Sequence, residues 1–127
     1  MTMMKQIVVL LALAMLATGC HTVTNLTPAQ VSRNTNGLYN LEMMWTHQEA
    51  ALRPQTVKAS VMVGHDFYPM ERTPLLKGRY EALVPIPANR DSLYYRFKID
   101  FEKNAIPEPR AESVLSQEYK LSIMDQK

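Results

Sequence analysis

The sequence predicts an all-β domain in which two antiparallel sheets pack face to face. After Gly37, apolar and polar side chains alternate with a period of two, which is typical of strands with one buried face. Glycine, proline and asparagine separate the alternating segments, as turns do. Beyond residue 19, no segment keeps a 3.6-residue apolar stripe for three turns, so the sequence disfavours a helical bundle.

Six strands follow one another along the chain. Five of them are defined by alternate apolar residues: Tyr39, Leu41, Met43 and Trp45; Val57, Ala59, Val61 and Val63; Tyr80, Ala82, Val84 and Ile86; Tyr95, Phe97, Ile99 and Phe101; Tyr119, Leu121 and Ile123. The remaining strand, residues 67–72, is the third in order and follows the tight turn Gly64-His65-Asp66 as a hairpin partner. Pro69 removes a ladder donor and places this third strand at a sheet edge.

The connection between the last two strands reads as a loop. Residues 103–116 contain Pro107 and Pro109, which would interrupt a hydrogen-bonded ladder. Within this segment, residues 111–117 suit a short helical turn or a ragged strand, and we assign the whole segment to a loop.

The order and lengths of the strands resemble those of an immunoglobulin-like or fibronectin type III β-sandwich of six to seven strands. The two cysteines and the central tryptophan of antibody domains are absent. The resemblance implies that Tyr94 or Tyr95, early in the fifth strand, would take the part of the tyrosine corner. A small open barrel would show the same alternation and stays open as an alternative.

The amino-terminal segment has the layout of a secretory signal peptide. Lys5 precedes an apolar run at residues 7–16, which is too short to span a bilayer, and small residues lead to Cys20. The run Leu16-Ala17-Thr18-Gly19-Cys20 resembles the lipobox of bacterial lipoproteins, with Ala17 where that family most often has leucine. The resemblance implies that the Cys20 thiol carries a diacylglyceryl group and that the leader, residues 1–19, is removed. An ordinary secretory signal that leaves Cys20 as a free thiol is the alternative.

Removal of residues 1–19 from the 127 leaves 108 residues, enough for one domain. We expect residues 20–36 to form a lipidated tether and residues 37–127 to form the β-sandwich. The tether is rich in Thr, Asn, Ser and Gln, and around residues 23–26 it could add a short edge strand, the seventh. A wholly flexible tether of this length would span about 20 Å.

Charge and motifs argue against several functions. The mature chain has 13 basic and 12 acidic side chains, without the clustered cations that nucleic acid requires. His65-Asp66 and His47 with Glu49 each offer only two metal ligands, so no metal site is predicted. The chain has neither a Gly-x-Ser-x-Gly elbow nor a glycine-rich phosphate loop. We therefore expect no enzymatic activity and no cofactor.

Two sets of side chains are candidates for an interaction surface. Met44, Met62, Leu83 and Met124 have outward parity, as does Leu38, and would form an apolar patch if their strands were neighbours. The tether or the proline-containing loop could equally cover that patch. Phe67, Tyr68 and Tyr94 are candidate exposed rings, and the edge at residues 67–70 could accept an added strand.

These observations predict a noncatalytic lipoprotein of the bacterial cell envelope that binds the membrane through its lipid anchor. It would act as a structural or protein-interaction module, within a cell-envelope or secretion assembly. The residue directly after the cysteine is His21 rather than aspartate. By resemblance to lipoproteins of enteric bacteria, this implies sorting to the outer membrane. The alternative is a carbohydrate-binding module facing peptidoglycan or a surface glycan.

Overall fold

The computed structural model describes residues 20–125, so the expected signal peptide, residues 1–19, lies outside the described part. Ten strands lie within this range: β1 His21–Asn25, β2 Gln30–Ser32, β3 Leu38–His47, β4 Lys58–Val63, β5 Asp66–Pro69, β6 Glu71–Arg72, β7 Arg79–Pro85, β8 Ser92–Lys103, β9 Arg110–Leu115 and β10 Tyr119–Met124. A short 3₁₀ helix, Pro54–Thr56, lies between β3 and β4.

The strand order is that of an immunoglobulin fold. The four-stranded sheet runs β1-β3-β7-β6, and these strands take the places of A, B, E and D. The six-stranded sheet runs β2-β10-β8-β4-β5, where β10, β8, β4 and β5 correspond to G, F, C and C′, and β9 also pairs with β8. All pairings are antiparallel except that of β2 with β10. This arrangement confirms the all-β immunoglobulin-like sandwich and excludes the small barrel.

The core lies between the two sheets and consists of the side chains that the alternation placed there. In β8, Tyr95, Phe97, Ile99 and Phe101 are all buried, and in β3 the same is true of the four alternate positions from Tyr39 to Trp45. Leu121 of β10 fills the same space. Because aromatic and branched side chains dominate this layer, hydrophobic burial supplies most of the stability of a domain that has no internal disulfide.

The predicted third strand is divided between the two sheets. β4 and β5 form a hairpin with a two-residue turn, in which Gly64 has a φ of +59° as the first position of a type II′ turn requires. β5 contains Pro69 and lies at the sheet edge, as predicted. At Met70 the chain crosses over, and β6 pairs with β7 in the other sheet. The buried Met70 side chain fixes this crossing point.

Residues 20–36, expected to be a tether, are part of both sheets: the short strand expected around residues 23–26 is present as β1, and the expectation of a tether is corrected. β1 pairs with β3 over its full length, from His21 opposite His47 to Asn25 opposite Met43. β2 then pairs with β10. This segment has few apolar side chains, but two of them, Val23 and Val31, pack against the core. The Thr27 hydroxyl also bonds to the backbone of β3.

The segment expected to be a loop, residues 103–116, contains a strand instead. β9 pairs with the second half of β8, while Pro107 and Pro109 lie in the turn between them. Ser116 marks the break between β9 and β10: its hydroxyl accepts a hydrogen bond from the Phe97 backbone N–H at 2.8 Å. The two prolines do interrupt the ladder, as predicted. They do so only in the turn, and β9 begins directly after them.

Tyr95 connects the two sheets. Its ring is buried, and its hydroxyl accepts a hydrogen bond from Asn25 Nδ2 in β1 at 2.8 Å. Burial raises the pKa of the Tyr95 hydroxyl, and the hydrogen bond from Asn25 partly opposes this shift. The partner is thus a side chain of the first strand rather than the backbone upstream that a tyrosine corner uses. Tyr94 faces outward.

We predict that Gly78→Ala destabilises the fold far more than Gly64→Ala. Both glycines have a positive φ, which costs a residue with a Cβ atom about 1 kcal/mol. A Cβ at Gly78 would also lie 2.6 Å from the Trp45 carbonyl oxygen, whereas at Gly64 it meets nothing within 4 Å. Urea unfolding should show a loss above roughly 2 kcal/mol for Gly78→Ala and about 1 kcal/mol for the control. Equal losses would contradict the close approach of Gly78 to β3.

We predict that Thr27→Val lowers the free energy of unfolding by about 1–3 kcal/mol, because it leaves the Glu42 backbone N–H without its partner. That N–H donates to Thr27 Oγ1 at 2.9 Å. Thr24→Val is the matched control, since Thr24 is exposed on β1 and the change should alter stability by less than about 0.5 kcal/mol. If both variants unfold at the wild-type urea concentration, the amino-terminal segment is not docked as described.

Candidate functional site

Cys20 lies directly at the start of the sandwich. Its thiol is exposed and free, and its carbonyl oxygen accepts a hydrogen bond from the Gln48 N–H at 3.3 Å. The next residue, His21, is already paired with His47 at the end of β3. A group attached to Cys20 is therefore connected to the folded domain without a spacer.

An aromatic cluster holds the first residue of β1 in place. The His21 ring stacks on Trp45 with ring centroids 5.8 Å apart, and it contacts Phe101 of the other sheet at 5.5 Å. His47 lies 4.7 Å from the Trp45 ring. Aromatic pairs of this kind add about 0.5–1.5 kcal/mol beyond their burial. The cluster joins β1, β3 and β8 beside Cys20.

Glu49 is the centre of the charges at this end. Its carboxylate lies 3.0 Å from Lys103 Nζ and 3.8 Å from His21 Nε2. Lys103 Nζ is also 3.1 Å from Glu112, and the hydrogen bonds to Glu49 and then Glu112 raise the pKa of the Lys103 ammonium group. This network ties the segment after β3 to β8 and β9.

Two further loops reach the same end. The Gly78 carbonyl accepts from the Trp45 N–H at 2.8 Å, which places loop 73–78 beside the end of β3. The Asn104 N–H donates to the Ala51 carbonyl at 2.8 Å, which places the turn 104–109 beside loop 48–57. We call this end, formed by Cys20 and loops 48–57, 73–78 and 104–109, the cysteine end.

The cysteine end also carries apolar side chains that the sequence analysis missed. Leu75 and Ile106 are fully exposed, at 103% and 100%, and Leu76 is 44% exposed. They lie in turns, where apolar and polar residues do not alternate. Two adjacent leucines after Pro74, and an isoleucine before Pro107, were the available signal.

The candidate metal ligands do not come together. His47 Nδ1 accepts a hydrogen bond from the Glu49 N–H at 3.2 Å, and His65 and Asp66 lie at the exposed turn between β4 and β5. Among residues 20–125, no three His, Cys, Asp or Glu side chains are grouped as metal ligands. No helix in this described range has the length and hydropathy to cross a membrane.

The outward-facing apolar residues are divided between the two sheets rather than joined in one patch. Met44 and Leu83 lie on the four-stranded sheet with Leu38, whereas Met62 and Met124 lie on the six-stranded sheet. Leu83 and Met124 are 60% and 51% exposed. The expected single patch is therefore wrong, because the strands that carry these residues are on opposite sides of the sandwich.

The candidate rings are partly covered. Phe67 and Tyr94 are each 52% exposed on the six-stranded sheet, and Phe67 is paired with Met62 in the register of β4 and β5. Lys98 Nζ lies 5.4 Å from the Phe67 ring centroid, and Lys120 Nζ lies 5.8 Å from that of Tyr94. Tyr68 instead packs against the core. Two rings, each with a lysine over it, remain of the three expected.

Comparison with known proteins adds little to this description. No protein-family model matches the chain, and no curated protein matches it. Among solved structures the chain is similar to murine CRIg, with 12% identity and a TM-score of 0.40, over 84% of this chain and 99% of that chain. The strand order therefore identifies the fold by itself, and the functional assignment depends on the residues of the cysteine end.

We predict that acidification destabilises the domain through His47. Burial, opposed by Glu49 and aided by His21 and Lys77, lowers the pKa of the His47 imidazole below its ordinary value of 6.5. The unfolded chain therefore binds this proton at a higher pH than the folded chain does, so stability falls as the pH drops through 6.5, until the folded imidazole is protonated too.

The check is urea unfolding of wild type, His47→Gln and His65→Gln at neutral pH and at about pH 5. His47→Gln should lose less stability on acidification than wild type. His65→Gln, a change at the exposed turn far from the cluster, should behave as wild type. An unchanged pH dependence in His47→Gln would contradict the assignment.

Proposed function

We propose that this protein is a noncatalytic lipoprotein of the bacterial cell envelope, held at a membrane by acyl chains on Cys20. The observation that supports this most is the position of Cys20: it follows the apolar run at residues 7–16 and lies exposed, one residue before β1. Each buried methylene adds about 0.8 kcal/mol, so two or three acyl chains make attachment effectively permanent. The residue after the cysteine, His21, favours the outer membrane.

In this proposal the sandwich is a structural or protein-interaction module of an envelope or secretion assembly. The outer face of the six-stranded sheet is the better contact surface, since it carries Met62, Phe67, Tyr94 and Met124 of the seven candidate residues. Arg96 is paired with Met62 in the register, and Lys98 and Lys120 lie over the Phe67 and Tyr94 rings. Arg96 Nε lies 3.9 Å from the Glu118 carboxylate and Lys98 Nζ lies 3.6 Å from that of Asp100, so charges of both signs surround the apolar side chains, as in the polar rim of a protein interface.

We predict that Cys20→Ser moves the protein from the membrane fraction to the soluble fraction, because serine cannot form the thioether to the diacylglyceryl group. The intact mass of wild type recovered from cells should equal that of the chain from Cys20 onward plus its acyl groups. Thr22→Ser is the control, since Thr22 is exposed and its replacement leaves the thiol intact. A wild-type mass without acyl groups would contradict the proposal.

Partner proteins that co-purify with wild type and Thr22→Ser, and are lost with Met62→Asp, would support the contact surface. The glycan-binding alternative remains testable because two exposed rings share one face. Saturable calorimetric binding of a peptidoglycan fragment, abolished by Tyr94→Ala, would favour that function instead.

A further inference from the structure

The cysteine end combines a point of membrane attachment with exposed apolar loop tips. Leu75 and Ile106 are fully exposed and Leu76 is half exposed, in two separate loops. Single exposed apolar side chains are common on soluble proteins. The two fully exposed ones both lie at the cysteine end, whereas, Leu76 aside, the other exposed large apolar side chains of residues 20–125 lie in strands and are 37–60% exposed.

The contacts of the backbone establish this placement. Loop 73–78 is fixed through Gly78 to the Trp45 backbone, and the turn 104–109 through Asn104 to Ala51. The Cys20 carbonyl accepts a hydrogen bond from the Gln48 N–H, at the start of loop 48–57. Lys77 and Gly78 line one groove together with His47 and Glu49. Both loops therefore lie at the end of the sandwich where β1 begins.

The first loop holds Leu75 in a conformation that favours glycine. Leu75 has a φ of +64°, Pro74 precedes it, and the Leu76 N–H bonds back to the Thr73 carbonyl at 3.3 Å. Proline followed by a residue with positive φ is typical of a type II turn, where glycine or asparagine is the usual choice. A leucine there is strained and fully exposed, so its presence does not serve the stability of the loop.

We propose that loops 73–78 and 104–109 insert Leu75, Leu76 and Ile106 into the interface of the bilayer that holds Cys20. This inference depends on the proposed function. Cys20 lies at this end, so acyl chains on its thiol begin beside the two loops. A single residue spans at most about 3.6 Å, so the anchor cannot hold the cysteine end away from the membrane.

The charges favour shallow insertion. Lys77 is exposed beside Leu76 and can bind lipid phosphates, whereas Lys103 is engaged by Glu49 and Glu112. Glu108 is exposed in the second loop, near Ile106, and resists burial in hydrocarbon. The apolar tips therefore enter the boundary between headgroups and acyl chains, about 5–10 Å deep, with the sandwich end-on to the surface.

The test places a tryptophan at each site in the full-length protein recovered from cells. Leu75→Trp and Ile106→Trp report on the two loops, and Leu83→Trp is the matched control, exposed on the four-stranded sheet away from the cysteine end. Each variant is reconstituted into vesicles of phosphatidylethanolamine and phosphatidylglycerol, with or without bromine on the acyl chains. The buried native Trp45 is subtracted using the parent protein.

Brominated lipid should reduce the added emission of both loop reporters about twofold or more and leave that of Leu83→Trp unchanged. Emission that is blue-shifted but not quenched would mean that a protein surface covers the loops, and would overturn the proposal. Equal quenching of all three reporters, or of none, would overturn it as well.

The same preparations separate this inference from the proposed function. The intact mass shows whether Cys20 carries acyl chains. A mass without acyl groups would contradict the lipoprotein assignment. Unacylated protein is then added to the same vesicles. Selective quenching of the two loop reporters would still support loop insertion, and the absence of quenching would overturn it. Because the reporters lie in two independent exposed loops, failure of one variant to fold leaves the other decisive.

Discussion

The pairing of β1 with β3 is the constraint on which the rest of the structure depends. It begins at His21, immediately after Cys20, and the stacking of His21 on Trp45 fixes its first register position. Without this pairing, the amino-terminal segment would be a flexible linker, and Cys20 would have no fixed position relative to the sandwich. With it, whatever is attached to Cys20 has a fixed position relative to the loops of one end.

The same strand also connects the two sheets in a domain that lacks an internal disulfide. Asn25 of β1 donates to Tyr95 across the core, and Thr27, two residues after the strand, accepts a hydrogen bond from the Glu42 N–H of β3. His21 contacts Phe101 of the opposite sheet. The first strand therefore stabilises the sandwich and fixes the position of Cys20, so a change that loosens it should affect both.

The sequence predicted the interior well because burial follows parity along a strand. Every alternate residue from Tyr39 to Trp45, and from Tyr95 to Phe101, is buried as expected. In the amino-terminal segment only a short strand around residues 23–26 was expected, because β1 and β2 have few apolar residues and depend on partners distant in the sequence. The outward methionines were wrongly grouped because parity gives the face of a strand but not its sheet. Leu75 and Ile106 stand in turns, where alternation carries no information.

The most direct test of the account is hydrogen–deuterium exchange of the full-length protein over residues 20–47. If β1 is paired from His21 onward, the amides of β1 that bond to β3 should exchange as slowly as those in the centre of β3, orders of magnitude slower than in an unstructured peptide. Exchange of residues 21–25 at the rate of an unstructured chain, with β3 still protected, would show a flexible tether and contradict the account.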